Sequence, residues 1–459
     1  MGGSARRVSA GENRLRSEDR AAHDWYRFVL SFPPHLVRTY LDRFGVTVGQ
    51  CVLDPFCGTG TTLVECKKLG IASVGIERNP MAHFASQTKL DWSMNPDRLV
   101  AHAEEVAAIA SVRLRADGLS DEAQPSPASN GATLAGPLRE LPPEARAILL
   151  KDSISALPLH KVLVLLEALS SNECREFSGP ERLALAQVIV KQASNLQFGP
   201  EVGVGVGPLG AEMPVIAPWV RAVHSIARDL RQLGDQALTP SQVHMTDARH
   251  LLEVIAPGSV DAVITSPPYP NEKDYTRTTR LESVILGFIN NKAELRGLKQ
   301  GLVRSNTRNV YMTDTDDQSV SRNREIQRIA EAIERRRIEL GKTSGFERLY
   351  ARVTRLYFGG MARHLASLRT ILRPGARLAY VVGDQASYLR VMIRTGAILA
   401  DLARGLGYEV ETIDLFRTRR ATATRAVLRE EVVVLRWQPA ERRRSTAPRR
   451  SAANDPTRR

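Results

Sequence analysis

The chain has 459 residues, 43% of them apolar, enough for a sizeable core and for two or three domains by the usual length scale. Sixty-four Lys and Arg against fifty Asp and Glu give a net charge of +14, which favours a polyanionic partner such as nucleic acid, although an Arg-rich stretch over residues 439–459 carries much of the excess and reads as a disordered tail. Cysteines at 51, 57, 66 and 174 show no metal-ligand spacing and no disulfide framework, and no apolar run is long enough to span a bilayer, so a cytoplasmic protein without membrane contact is expected.

Residues 1–23 are charged, lack an apolar run and read as a flexible N-terminus. From Gln50 the pattern is that of a doubly wound α/β sheet. "QCVLDP" is an apolar strand, "GTGTTLVECKKLG" a glycine turn opening a helix that stops at Gly70, and "ASVGIE" a second strand. A helix from about Met81 to Leu90 completes a first half of the sheet domain over residues 24–94. The alternation then breaks down, and residues 95–215 read as an insertion. In it "DGLSDEAQPSPASNGATLAGP" is a linker, patterns such as "PERLALAQVIVKQASN" form a small helical subdomain, and "FGPEVGVGVGPLG" is a glycine-rich loop.

Alternation resumes over residues 216–273. "APWVRAVHSIARDLRQLG" puts Trp219, Val220, Val223, Ile226 and Leu230 at helical spacing, the pattern of a helix packed on a sheet. Strand "QVHMTDA", a short helix "RHLLEVI" and strand "VDAVIT" lead into "TSPPY". A second irregular, basic block covers residues 274–342. Residues 343–438 are orderly again: a helix from about Glu347 to Leu372, the turn "RPGA", strand "RLAYVVGD", a helix from Val391 to Leu406, and "EVETIDLFRT" and "REEVVVLRW" as a hairpin around an Arg-rich turn. The fold expected is α/β with about seven strands, mostly parallel with one antiparallel strand, interrupted by helical and irregular insertions. Ligands of such sheets sit outside the carboxyl ends of the strands, where both "DPFCGTGTT" and "TSPPY" fall.

In "VLDPFCGTGTT" an acidic residue, Asp54, ends a strand, and Gly58 and Gly60 permit close backbone approach to a ligand. No Lys-Ser/Thr pair follows Gly60, which excludes a P-loop, and an acid and the bulky Phe56 precede the glycines, which disfavours a dinucleotide turn. An acidic strand end suits a ligand with a cationic amino-acid part, and Glu77, ending the next strand, suits ribose hydroxyls. S-adenosylmethionine has both. In "TSPPY" the two prolines hold the backbone extended after a buried strand and leave its carbonyl oxygens free for something else.

"DPFCGTGTT" followed by "GIERNP", and later "TSPPY", resembles the signature set of the amino-group DNA methyltransferases, which methylate exocyclic nitrogens of cytosine or adenine. The resemblance covers roughly residues 24–92 and 216–437. It implies a Rossmann-like seven-stranded methyltransferase sheet, S-adenosylmethionine as cofactor, and double-stranded DNA with a flipped base as substrate. It further implies that Asp54, Phe56, Gly58 and Gly60 cradle the methionine part, that Glu77 holds the ribose, and that Asp247 contacts the adenine, the last set beside the reading of Asp247 as a solvated turn acid. "SFPPHLVRTYL" resembles the family's helix beside the cofactor, with Phe32 and Pro33 near it. A carbonyl beside Ser266 or Pro267, with the Ser266 hydroxyl, would accept the amine hydrogens, Pro268 would keep the loop rigid, and Tyr269 would stack on the base. No metal is implied.

The family's adenine enzymes carry Asp or Asn where this chain has Ser266, so cytosine N4 is the expected target, with adenine N6 as the alternative. A carbon-5 cytosine mechanism needs a nucleophilic cysteine, and residues 265–270 contain none. An RNA enzyme of the tRNA guanine type and a non-catalytic nucleic-acid-binding protein remain as further readings. Target recognition is expected in residues 274–342, where Arg277, Arg280, Arg304, Arg308 and the run Arg335 to Arg337 offer phosphate and base-edge contacts, or in residues 95–215. For the run, a solvated helix face is the more economical reading. Asp274, Tyr275 and Arg277 would sit at the mouth of the base pocket. A role in restriction-modification or phage defence would require a nuclease encoded elsewhere.

Overall fold

A computed structural model describes residues 15–27, 31–122, 136–199, 201–205, 213–271, 273–420 and 426–439. The readings of residues 1–14 and 440–459 as disordered ends lie outside these. Seven strands form one sheet: β1 (Cys51–Asp54), β2 (Ala72–Ile76), β5 (Ser241–His244), β6 (Val260–Thr265), β7 (Leu372–Gly383), β8 (Tyr408–Arg420) and β9 (Val427–Trp437), in the order β5-β2-β1-β6-β7-β9-β8. β9 runs antiparallel to both β7 and β8, and the other pairings are parallel. Strand order reverses at β1 and β6, so the crevice of a doubly wound sheet opens at their carboxyl ends.

Both faces of the sheet are covered, and the period-two alternation of a strand divides its residues between them. Leu53, Val263, Leu378, Tyr380, Val382 and Val433 turn to the helices Arg324–Glu339, Tyr350–Ile371 and Thr395–Gly405. Val52, Ala262, Ile264, Ala379, Val381 and Val434 turn to the helix Pro34–Phe44. Five consecutive apolar positions in β7, Leu378 to Val382, are buried for this reason.

Several elements differ from the sequence reading. Residues 95–116 are not irregular: Pro96–Ala116 is a helix capped by the Asn95 side chain, which accepts from the Asp97 and Arg98 N–H groups. Its alanine-rich sequence gives little periodicity. The insertion helices are not a separate subdomain, because Leu99, Val106, Leu165 and Leu183 share one core with Leu63, Met81 and Leu286. The helix Ile216–Leu233, expected on the sheet, packs instead on Pro96–Ala116 and Ser178–Val188. "FGPEVGVGV" holds a small hairpin, β3 (Leu196–Phe198) and β4 (Val202–Val204), rather than a plain loop. "RPGA" lies within β7 as a bulge, with Gly375 at φ +87°, a left-handed value open to glycine. The basic block contains the helices Lys292–Gln300 and Arg324–Glu339.

Residues 17–26 are packed rather than flexible. His23 bonds Glu65 at 2.8 Å, the Trp25 indole N–H donates to Asp229 Oδ2 at 2.9 Å, and the Tyr26 hydroxyl donates to Glu282. No helix among the described residues is long and apolar enough to cross a membrane.

Candidate active site

A cavity of about 610 Å³ opens at the carboxyl ends of β1, β2, β6 and β7. Phe56, Gly58, Glu77, Asp247, Ser266, Pro267, Pro268 and Tyr269 all line it. Asp54 and Gly60 do not line it, although Pro55, Phe56, Cys57, Gly58 and Thr59 between them do. Ser31 and Phe32, leading into the helix Pro34–Phe44, form another side.

The glycine turn owes its shape to contacts below it. Gly60 sits at φ +86°, and a Cβ there would lie 3.0 Å from the Ser86 Cβ, so the turn is pressed onto the helix Pro80–Leu90. Gly58 sits at φ +52°, where a Cβ would meet nothing within 4 Å. Asp54 is fully buried. Its Oδ1 accepts from the Thr265 hydroxyl (2.6 Å) and the Phe56 N–H (3.1 Å). The nearby Thr62 hydroxyl donates to the Ile264 carbonyl (3.1 Å), so Oδ2 is left without a hydrogen-bond partner. Burial raises Asp54 to about 6, against the opposing pull of the Thr265 and Thr62 hydroxyls and the Phe56 N–H.

Glu77 is braced by main chain, accepting from the Gly58 N–H (2.9 Å) and the Asn79 N–H (2.7 Å). Burial nevertheless lifts it to about 7. Asp247 is not a solvated turn acid. Burial pushes its carboxyl upward, but the Arg249 guanidinium, at 2.6 Å, outweighs that and holds it below its ordinary value. Arg249 in turn pairs with Asp316. Phe56 packs edge-on against His364 at 4.9 Å, and burial lowers that imidazole to about 4 and keeps it neutral.

On the other side, the Ser266 hydroxyl donates to the Val381 carbonyl at 3.1 Å and lies 3.5 Å from the Tyr269 hydroxyl. The Tyr269 N–H donates to the Tyr275 hydroxyl (3.3 Å), and its own hydroxyl donates to Glu430 Oε1 (3.0 Å). Glu430, Arg417, Gln385, Lys273 and Glu201 also line the cavity, and none was singled out from sequence. Arg417 and Glu430 face each other across β8 and β9, a pairing set by strand register that no local motif signals.

Of the residues expected at the pocket mouth, only Tyr275 lines the cavity; Asp274 is turned to Lys299 at 2.7 Å, and Arg277 is off the wall. Arg280 and Arg304 are not surface phosphate ligands. Both are buried: Arg280 donates to the Thr276 and Ile148 carbonyls, and Arg304 binds Asp314. Arg308 is partly exposed and pairs with Glu201 at 3.5 Å. In the run, Arg336 and Arg337 pair with Glu339 and Glu334 on their own helix, as a solvated face does.

A family model described as DNA methylase (N6_N4_Mtase) matches residues 10–87. The Type II methyltransferase M.BsoBI of Geobacillus stearothermophilus is 25% identical over 448 residues, covering 92% of this chain and 85% of that one. The Type II methyltransferase M.MjaII of Methanocaldococcus jannaschii is 40% identical over 68 residues, 15% of this chain and 13% of that one. Among solved structures, TrmN from Thermus thermophilus aligns at a TM-score of 0.27 and 11% identity, over 88% of this chain and 48% of its own length, too low a likeness to bear on the fold, which rests on the strand order. The chain is thus similar to the amino-group (N4-cytosine/N6-adenine) DNA methylases over residues 10–87 and to a Type II methyltransferase along most of its length, and it is an enzyme that uses S-adenosylmethionine as methyl donor.

Proposed function

We propose that the protein methylates the exocyclic N4 of cytosine in double-stranded DNA, at a base turned out of the helix into the cavity. The observation that carries this is Ser266. With its hydrogen given to the Val381 carbonyl, its oxygen presents lone pairs toward the cavity that also holds the glycine turn. An exocyclic amine on a base is a poor nucleophile because its lone pair is delocalised into the ring. Acceptors that take its hydrogens favour the pyramidal nitrogen that can attack. Ser266 is such an acceptor, and Pro267 and Pro268, lacking N–H groups, hold the loop extended so that it stays aimed. Tyr269 supplies an aromatic wall for the base.

S-adenosylmethionine fits the opposite wall. Gly58 leaves open space toward the cavity, and the buried Asp54 Oδ2, lacking a hydrogen-bond partner, suits a cationic amino-acid group nearby. Phe56 and Gly58 would hold the methionine part, Gly60 would keep the turn tight, Glu77 would take the ribose and Asp247 the adenine edge. When bound, the cofactor supplies a methyl group on a sulfonium centre. The Ser266 oxygen would accept a hydrogen bond from the amine as the nitrogen gains the methyl; the broken S–CH3 bond would leave a neutral thioether, and the amine proton would pass to solvent. Positioning supplies much of the acceleration.

Serine where adenine enzymes carry Asp or Asn supports cytosine, and the match to M.BsoBI along 92% of the chain supports DNA and a restriction-modification setting with a separately encoded nuclease. The test is mass spectrometry of nucleosides from DNA and total RNA of cells making the protein or its Ser266→Ala, Tyr269→Ala double variant. N4-methylcytosine in DNA that vanishes with the variant is expected. N6-methyladenine would overturn the choice of base, and methylation confined to RNA would overturn the choice of nucleic acid. In vitro, Ser266→Ala alone should lower kcat by roughly 10²-fold or more, the usual loss of an oriented polar group at a reacting centre.

A further inference from the structure

Gly383, Glu430 and Arg417 form one rung across β7, β9 and β8 at the carboxyl end of the sheet, since Gly383 pairs with Glu430 and Glu430 with Arg417. Tyr269 lies on this rung. Its ring edge comes so close to Gly383 that a Cβ there would stand 3.1 Å from Cε2, and its hydroxyl reaches Glu430 Oε1 at 3.0 Å. Glu430 is itself held by the Arg417 guanidinium on its other oxygen, and its side chain is only 12% exposed. The Tyr269 N–H is fixed separately by the Tyr275 hydroxyl.

We propose that Glu430, clamped by Arg417, is a positioning residue that fixes the attitude of the Tyr269 ring before the target base enters. This rests on the reading of Tyr269 as the aromatic wall of the base pocket. A tyrosine at the end of a proline loop can swing about its side-chain torsions. A stacking wall is useful only if its plane is set in advance, because a ring ordered at the moment of binding loses rotamer freedom then. The hydrogen bond to an immobilised carboxylate removes that freedom beforehand. Glu430 acts through Tyr269 and touches neither cofactor nor amine in this role. The phenol stays a donor, since burial first and the Glu430 charge second hold its ionisation well above the ordinary 10.

The experiment is a double-mutant cycle on the full chain, reading single-turnover methyl transfer to DNA and, separately, S-adenosylmethionine affinity by calorimetry. Glu430→Ala and Tyr269→Phe should each lower the single-turnover rate roughly tenfold, the loss of one oriented hydrogen bond to a charged group, with cofactor affinity unchanged. The double variant should be no slower than either single one. Glu430→Gln keeps an acceptor oxygen and should restore part of the rate. If the two losses multiply, Glu430 acts independently of Tyr269 and the proposal falls. It falls equally if Tyr269→Phe and Glu430→Ala match the parent while Tyr269→Ala is inactive, which leaves the aromatic wall standing. A fully active Tyr269→Ala variant would instead overturn the reading on which the proposal rests.

Discussion

Asp54 is the residue whose replacement separates stability from function most sharply. Its carboxyl is raised from the ordinary 3.8 to about 6 by complete burial, a difference worth about 3 kcal/mol. A raised folded value means that Asp54 favours folding below about pH 4, and that this contribution fades as pH rises and is lost above about pH 6. At neutral pH the ligand-free protein therefore carries an uncompensated buried charge. Asp54→Asn removes it while keeping an acceptor for the Thr265 hydroxyl and the Phe56 N–H. Its gain in unfolding free energy over the parent should be about 2 kcal/mol larger near pH 8 than near pH 4.5, since about 1 kcal/mol of the effect is already present at the lower pH. Urea titrations followed by tryptophan fluorescence at both pH values measure this. The same variant should lose affinity for S-adenosylmethionine in calorimetry. A stability difference that does not change between the two pH values would refute the assignment of the buried charge, whatever happens to binding.

Three further outcomes are expected. Gly359→Ala would set a Cβ 1.9 Å from the Asp316 carbonyl oxygen, so the helix Tyr350–Ile371 must move off its neighbour, with a loss of about 3 kcal/mol in urea unfolding. Lys89 is buried, donates to the His23 carbonyl at 3.4 Å, and is lowered by burial from 10.5 to about 7; its contribution to stability, present above about pH 10, is lost as pH falls toward 7. Lys89→Met should then raise the melting temperature at pH 7 and leave it little changed near pH 10, and a fall at pH 7 would contradict this. Gly383→Ala should displace the Tyr269 ring by a few tenths of an ångström and lower kcat on DNA, with cofactor affinity held constant in the same calorimetric assay.

The strands around the crevice were legible because each is a short apolar run closed by a residue that cannot continue it: Pro55 after β1, Pro267 and Pro268 after β6. The residues proposed for the chemistry could be picked out for the same reason, since they stand beside these strand ends in the sequence, and most of them line the same cavity. The helix Pro96–Ala116 was not, because alanines occupy both its buried and its exposed positions and blur the stripe. Asp247 was ambiguous because its partner Arg249 stands two residues away in a turn, where spacing alone does not fix side-chain geometry. Arg280 and Arg304 read as cations for DNA, but main-chain carbonyls and Asp314 consume their donors. Glu430 was beyond reach, since only the register of the last hairpin brings it to Tyr269.

That last hairpin also sets when the enzyme can work. β9 slots between β7 and β8, so the strands through β7 carry the glycine turn and the proline loop but not the strand that supplies Glu430. A chain made only as far as β8 would hold the residues proposed for the cofactor and no seat for the Tyr269 hydroxyl. On the function proposed above, a chain cut short before residues 427–437 should fail in methyl transfer, because Tyr269 loses its Glu430 partner.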